Sequence, residues 1–339
     1  MSPVLAFVGC AHIHTPGFVN AIKKRPGLKV KSVWDPNPAR STRRAADLNA
    51  VVIDDFKAIY ADPEIGAVII TSETDRHETL VGPAVSAGKK FLFVEKPLGY
   101  AAPDAALMAA AIEKAGITFQ TGYFRRGESK LMFLKDQVAK GAFGKITRVR
   151  ASNCHGGSLG GWFDAKPDAP ADDWNWMAQP KLAGCGAFGD LGTHILDILI
   201  WMFGDVTAAT AQLDKGTGRY GDCDETGEGM LRFKSGVIGT LAAAWTDVAD
   251  PVTFQINGTE GNAYIHGDHL HFKSSHVPNA DGKTPWTDLP APAAAGFEAF
   301  LDAVERKPAK LVTPAEAAYR SKVMAALYDG AAKKTWVAV

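Results

Sequence analysis

Short apolar runs recur through the first third of the chain, at residues 4–9, 28–35, 51–53, 67–72, 90–95 and 117–123. Amphipathic stretches at 39–48, 77–87 and 104–115 separate several of them. Strands alternating with helices predict βαβ units and a parallel sheet. The unbroken run Ala67-Val68-Ile69-Ile70 fits a strand covered on both faces.

After Tyr123 the pattern changes. A helix is predicted at 128–140, followed by the turn Gly141-Ala142-Phe143-Gly144-Lys145. Extended segments then dominate, at 145–153, 206–213, 229–233, 237–244, 253–257 and 263–266. Turn signals such as Lys234-Ser235-Gly236 and Asn257-Gly258-Thr259-Glu260-Gly261 punctuate them. This predicts a mainly antiparallel sheet with inserted helices. Residues 279–295, rich in Pro, Asp and Ala, read as a loop. Residues 313–334 read as a helix opened by the Thr313-Pro314-Ala315-Glu316 capping signature.

Composition narrows the classes. Hydrophobic residues make up 46% of the 339 and charged residues 22%, which is a globular balance. Basic and acidic side chains number 37 each, so there is no basic excess to drive nucleic-acid binding. Cys10, Cys154, Cys185 and Cys223 form no CxxC pair, which argues against a structural zinc site and a disulfide framework. The first residues lack a positive n-region and read as a strand rather than a signal peptide. No apolar run approaches the roughly 20 residues that span a bilayer. A cytoplasmic protein without membrane association is expected.

Three places carry candidate chemistry. The turn Gly9-Cys10-Ala11-His12-Ile13-His14 follows the first strand and precedes a helix, the position of a dinucleotide-binding turn. Small residues there let backbone N–H groups approach a pyrophosphate. Only Gly9 stands where glycine is expected; Ala11 and His14 replace the next two. An ordinary strand-to-helix turn is the alternative. His12 and His14 suggest a metal, but the sequence shows no third ligand near them, and no metal is expected. Asp35 closes the second strand, where a carboxylate accepts ribose hydroxyls and repels a 2′-phosphate, favouring NAD over NADP. Arg40, Arg43 and Arg44 follow; they either pair with that phosphate, which keeps NADP open, or lie on a solvated helix face.

Glu95-Lys96-Pro97 ends the fifth strand, where the crevice of an open parallel sheet lies. An ammonium there polarises a substrate hydroxyl or meets the cofactor ribose; the alternative is a surface Glu95–Lys96 pair. Farther on, Asp190 and His194 sit four residues apart after a glycine-rich run and before the apolar stretch 198–203. On a helix that spacing puts both on one face, suited to orienting and accepting a proton. The alternative is Asp190 as a helix cap and His194 as a core histidine.

Glu95-Lys96-Pro97, followed by Gly184-Cys185-Gly186-Ala187-Phe188-Gly189-Asp190-Leu191-Gly192-Thr193-His194, resembles the glucose–fructose oxidoreductase / inositol dehydrogenase (Gfo/Idh/MocA) family. Thr71-Ser72 through His77 resembles that family's strand-four turn, and Gly141–Ile146 its passage into the second domain. The resemblance implies an N-terminal Rossmann domain at 1–123 and an α+β domain with a large open, mainly antiparallel sheet at 124–312. A C-terminal helix and strand at 313–339 would pack back near the Rossmann domain. It implies a sugar or polyol dehydrogenase using NAD, or NADP, with Thr71, Ser72 and His77 also near the cofactor. His194 would accept the hydroxyl proton, Asp190 assist it, and Lys96 polarise the same oxygen. Asp197 reads as a supporting carboxylate, and Cys185 as a small residue rather than a nucleophile.

The substrate side draws on Tyr123, Arg125, Arg126, Asn153, His155, Trp162, Trp174, Asn175 and Trp176. Aromatics beside polar groups suit a carbohydrate ring, although tryptophans also fill cores. Arg125 or Arg126 suits a carboxylate or phosphate as well. Two other functions fit the scaffold: a glycosidase-like enzyme using transient oxidation, and a cofactor-sensing regulator. An open sheet with one uncovered face predicts a homodimer or homotetramer.

Overall fold

The computed structural model describes residues 3–339. The first sheet contains β1 (Val4–Val8), β2 (Val30–Trp34), β3 (Val51–Val52), β4 (Ile65–Ile70), β5 (Phe91–Val94) and β6 (Thr118–Thr121). Its order is β3-β2-β1-β4-β5-β6, and every pairing is parallel. The intervening helices are α1 (Thr15–Lys23), α2 (Pro38–Leu48), α3 (Phe56–Ala61), α4 (His77–Ser86) and α5 (Ala102–Lys114). Successive strand residues point to opposite faces. Leu5 and Phe7 therefore join one core with Val33, Ile69 and Phe93. Ala6 and Val8 join another with Val68, Ile70 and Val94. Both faces being covered explains the continuous apolar strands. This is the doubly wound Rossmann order, with its ligand crevice at the carboxyl ends of the strands.

The remaining helices are α6 (Ser129–Ala139), the single-turn α7 (Pro180–Ala183), α8 (Ala187–Phe203), α9 (Phe297–Val304) and α10 (Pro314–Lys333). The second sheet contains β7 (Ile146–Cys154), β8 (Val206–Asp214), β9 (Thr226–Phe233), β10 (Ile238–Ala244) and β11 (Val252–Gly258). It continues through β12 (Gly261–His266), β13 (His269–Ser274), β14 (Asp281–Pro285) and β15 (Val337–Ala338). Its nine strands run in the order β14-β13-β12-β11-β7-β10-β9-β8-β15, antiparallel except for the β10–β7 pair. Helix α8 packs on β7, β9 and β10. β9 alternates buried and exposed residues, as a strand with one covered face must.

Three differences from the sequence reading have physical causes. Residues 279–295 hold a strand, β14, at the sheet edge, where pairing on one side only tolerates polar, Pro-containing sequence. Helix α3 is six residues long, too short to show a period. The chain also forms two compact units that ignore contiguous bounds at 123 and 312. One comprises Met1–Phe124, Trp162–Gly184 and Ala294–Ser321; the other comprises Arg125–Gly161, Cys185–Ala293 and Lys322–Val339. Helix α9 explains part of this, because Phe297, Phe300, Leu301 and Val304 complete the core around Leu5 and Phe7. No helix among the described residues is long and apolar enough to cross a membrane.

Candidate active site

In the first unit, residues 9–14 turn the chain from β1 into α1. Gly9 has φ +89°, and a Cβ there would lie 2.6 Å from Ser72 Cβ, so only glycine lets the turn press on the end of β4. Thr71 braces it further. Its hydroxyl donates to the Gly9 carbonyl (2.8 Å), and its own carbonyl accepts the His12 N–H (2.9 Å). Asp35 is fixed beside the turn by two donors, Cys10 N–H (2.6 Å) and Asn37 N–H (2.8 Å). Burial pushes its carboxyl up to about 6, against the pull of those N–H groups and Arg40.

The arginines after Asp35 do not share a solvated face. Arg40 is buried and lies 2.6 Å from Glu73 and 3.7 Å from Asp35. Arg44 is buried between Asp47 (3.0 Å) and Asp172. Only Arg43 is largely exposed. Residues 162–184 supply these extra partners and also Trp176, whose indole N–H donates to the Ala11 carbonyl at 3.0 Å. Trp176 is buried and packs in the first unit, as a tryptophan filling a core does, whereas Trp162 is exposed. Trp174 stacks with Lys166, and Asn175 donates to the Phe163 carbonyl.

Glu95 and Lys96 are both buried and are not a surface pair; the Lys96–Pro97 bond is cis. Tyr123 and His77 are buried as well, and His77 Nδ1 lies 3.1 Å from the Leu98 carbonyl. The expectation of no third ligand near His12 and His14 is corrected by the fold. Glu95 Oε1 lies 2.7 Å from His14 Nδ1 and 3.6 Å from His12 Nδ1. Strand β4 lies between β1 and β5 in the sheet, so only the assembled crevice brings these residues together.

In the second unit, the first turn of α8 is capped by Asp224, not by Asp190. Asp224 accepts Gly186 N–H (3.1 Å) and Phe188 N–H (2.8 Å). The Tyr328 hydroxyl donates to Asp224 (3.0 Å) and accepts Gly189 N–H (2.9 Å). Burial pushes both the Asp224 carboxyl and the Tyr328 hydroxyl upward. Asp190 is thereby left half-buried in the first turn, with the buried His194 one turn later. Asn153, on β7, donates to the Leu191 carbonyl between them (3.2 Å). His155 Nδ1 accepts Gly157 N–H at 3.0 Å.

Two substrate candidates are occupied by acids of the second unit. Arg126 grips Asp197 through Nε (2.8 Å) and Nη2 (2.5 Å), and Arg125 pairs with Glu128 (2.9 Å). Asp197 is thus the partner of Arg126. Asp224 and Tyr328 were invisible in the sequence because no local motif announces a cap supplied from elsewhere in the chain.

The first unit's residues fit a dinucleotide. The turn is small at Gly9 and Ala11, and a carboxylate stands at the end of β2. Arg40 and Arg44 are buried and already paired with acids.

Residues 4–123 match the model of an oxidoreductase family with an NAD-binding Rossmann fold, and residues 132–264 match the GFO/IDH/MocA C-terminal domain. Levoglucosan dehydrogenase of Pseudarthrobacter phenanthrenivorans is 28% identical over 305 residues, covering 80% of this chain and 75% of that protein. The scyllo-inositol 2-dehydrogenase (NAD(+)) of Bacillus subtilis is 26% identical, covering 77% of this chain and 72% of that protein. A solved levoglucosan dehydrogenase in complex with NADH and levoglucosan has a TM-score of 0.80 and 22% identity, covering 100% of both chains; that likeness is one of fold.

Proposed function

The chain belongs to the Gfo/Idh/MocA family of NAD-binding oxidoreductases, and from that premise we propose that it oxidises a secondary hydroxyl of a sugar, inositol or related polyol, or runs the reverse reduction. The observation that supports this reading is a buried lysine at the end of β5, with a carboxylate and an imidazole one turn apart on α8. In this proposal the three act on one substrate oxygen. Lys96 polarises the hydroxyl and stabilises the oxygen as it loses its proton. His194 accepts that proton, and Asp190 orients the imidazole and supports its positive charge. When bound, the nicotinamide supplies the hydride acceptor. Gly9, Ala11, His12, Ile13, Asp35, Thr71 and Ser72 would hold the dinucleotide, with Asp35 on the adenosine ribose.

Support for a carbohydrate comes from the named activities of the relatives, carried here as an inference. The test is a panel of sugars, anhydrosugars and inositols with NAD and NADP, read by absorbance of the reduced nicotinamide. At least one polyol should turn over, faster with NAD. Lys96→Met should lower kcat by about 10²- to 10⁴-fold while the dinucleotide still binds. Unchanged kcat in that variant would overturn the assignment.

A further inference from the structure

Two histidines from the first turn meet an acid from the end of β5 within the first unit. His14 occupies the place of the third glycine of a dinucleotide turn, and that role requires no imidazole. His14 Nδ1 and His12 Nδ1 lie 2.7 and 3.6 Å from the same oxygen, Glu95 Oε1. Glu95 is fully buried, and its other oxygen, Oε2, has no hydrogen-bond partner among the described residues. That carboxylate lies against bare backbone, because a Cβ on Gly122 would come within 2.3 Å of Oε2. A buried carboxylate oxygen without a partner is costly, and a bound cation would supply one.

The tautomer of His12 sharpens the point. Its Nδ1 accepts the His14 backbone N–H at 3.2 Å, so that nitrogen presents a lone pair rather than a proton. A cation held between that nitrogen and Glu95 Oε1, 3.6 Å apart, would take the lone pair and the carboxylate oxygen as ligands. We propose that His12, His14 and Glu95 bind a divalent transition-metal ion of the zinc or ferrous class, with a remaining position open to water.

The geometry suits that class. Bonds of about 2.0–2.1 Å put neighbouring ligands of a tetrahedral ion roughly 3.3 Å apart. The two N···O separations bracket that value, and all three ligand atoms lie within 4.8 Å of one another. Coordination at His12 Nδ1 replaces its long bond from the His14 N–H. Two imidazoles with one carboxylate favour zinc or ferrous iron over magnesium and calcium, which prefer oxygen ligands. His14 also borders a cavity of about 450 Å³ with Ile13, Phe18, Phe124 and Phe297, which gives an ion a way in.

The inference stands apart from the dehydrogenase reading, because its test needs neither substrate nor dinucleotide. The full chain is stripped with a chelator and titrated with Zn²⁺, with anaerobic Fe²⁺ and with Mg²⁺, and metal content is measured by mass spectrometry. About one zinc or iron per chain is expected, with no stoichiometric magnesium. His12→Ala, His14→Ala and Glu95→Gln should each weaken zinc binding about tenfold or more. If a variant does not fold, X-ray absorption of the zinc-loaded wild type decides, and two imidazole ligands are expected. Stoichiometric magnesium, no uptake of zinc or iron, uptake undiminished in the folded variants, or a spectrum without imidazole would each overturn the proposal.

Discussion

Asp35 links the turn, the ribose-binding position and the pH response. Its folded carboxyl keeps a proton up to about pH 6, because burial outweighs its two N–H donors. An unfolded aspartate loses its proton near pH 4. Between those values the folded chain binds more protons than the unfolded one. The stabilisation is therefore full below about pH 4 and is lost as pH rises through 6. Denaturant titrations from pH 4 to 7 should show the difference between wild type and Asp35→Asn changing by roughly 3 kcal/mol, with the wild type losing ground as pH rises. Affinity for NAD, followed by calorimetry, should fall in the wild type below pH 6 and stay flat in the variant. The sequence nominates Asp35 as a ribose contact from its place at a strand end. Its raised pKa was not legible there, because that comes from burial of the carboxyl in the folded chain, which no linear reading supplies. Lys96, Asp190 and His194 are nominated by the sequence because their spacing and neighbours form local motifs; their proposed roles await the Lys96→Met test. The contact of Glu95 with His14 spans 81 residues and an intervening strand, so it appears only in the fold.

The first turn of α8 is the element on which the proposed acid–base pair depends. Its glycines are there for proximity: a Cβ on Gly186 would lie 2.3 Å from the Asp224 carbonyl, and one on Gly189 would lie 2.3 Å from Cys185 Cβ. Cys185 therefore fits only because Gly189 faces it. Gly189→Ala should destabilise the protein by about 1–3 kcal/mol through overpacking, measured by urea denaturation. Adding Cys185→Gly should recover part of that loss, a coupling that separate sites would not show. The helix itself was readable from its apolar run after the glycines. Its cap was not, since Asp224 and Tyr328 come from positions 36 and 139 residues beyond the N–H groups they serve.

At the scale of the whole molecule, the second sheet buries one side of β9 and β10 under α8. On the outward side of those strands Met230 and Ile238 are 42% and 52% exposed. Apolar side chains on an uncovered sheet face favour self-association. A dimer or tetramer is expected by light scattering at micromolar concentration, and Met230→Lys with Ile238→Lys should shift it toward monomer with the fold retained. The two-part organisation was evident from the change in hydrophobic pattern near Tyr123. The return of 162–184 and 294–321 to the first unit was not, because those segments declare their allegiance through Trp176 on the turn and Phe297 and Phe300 in its core. The polypeptide passes between its two bodies five times. Neither body is therefore a continuous stretch of the gene. No single cut or fusion point in the sequence can separate one of them whole from the other, so a truncation made at any one site cannot yield either body alone.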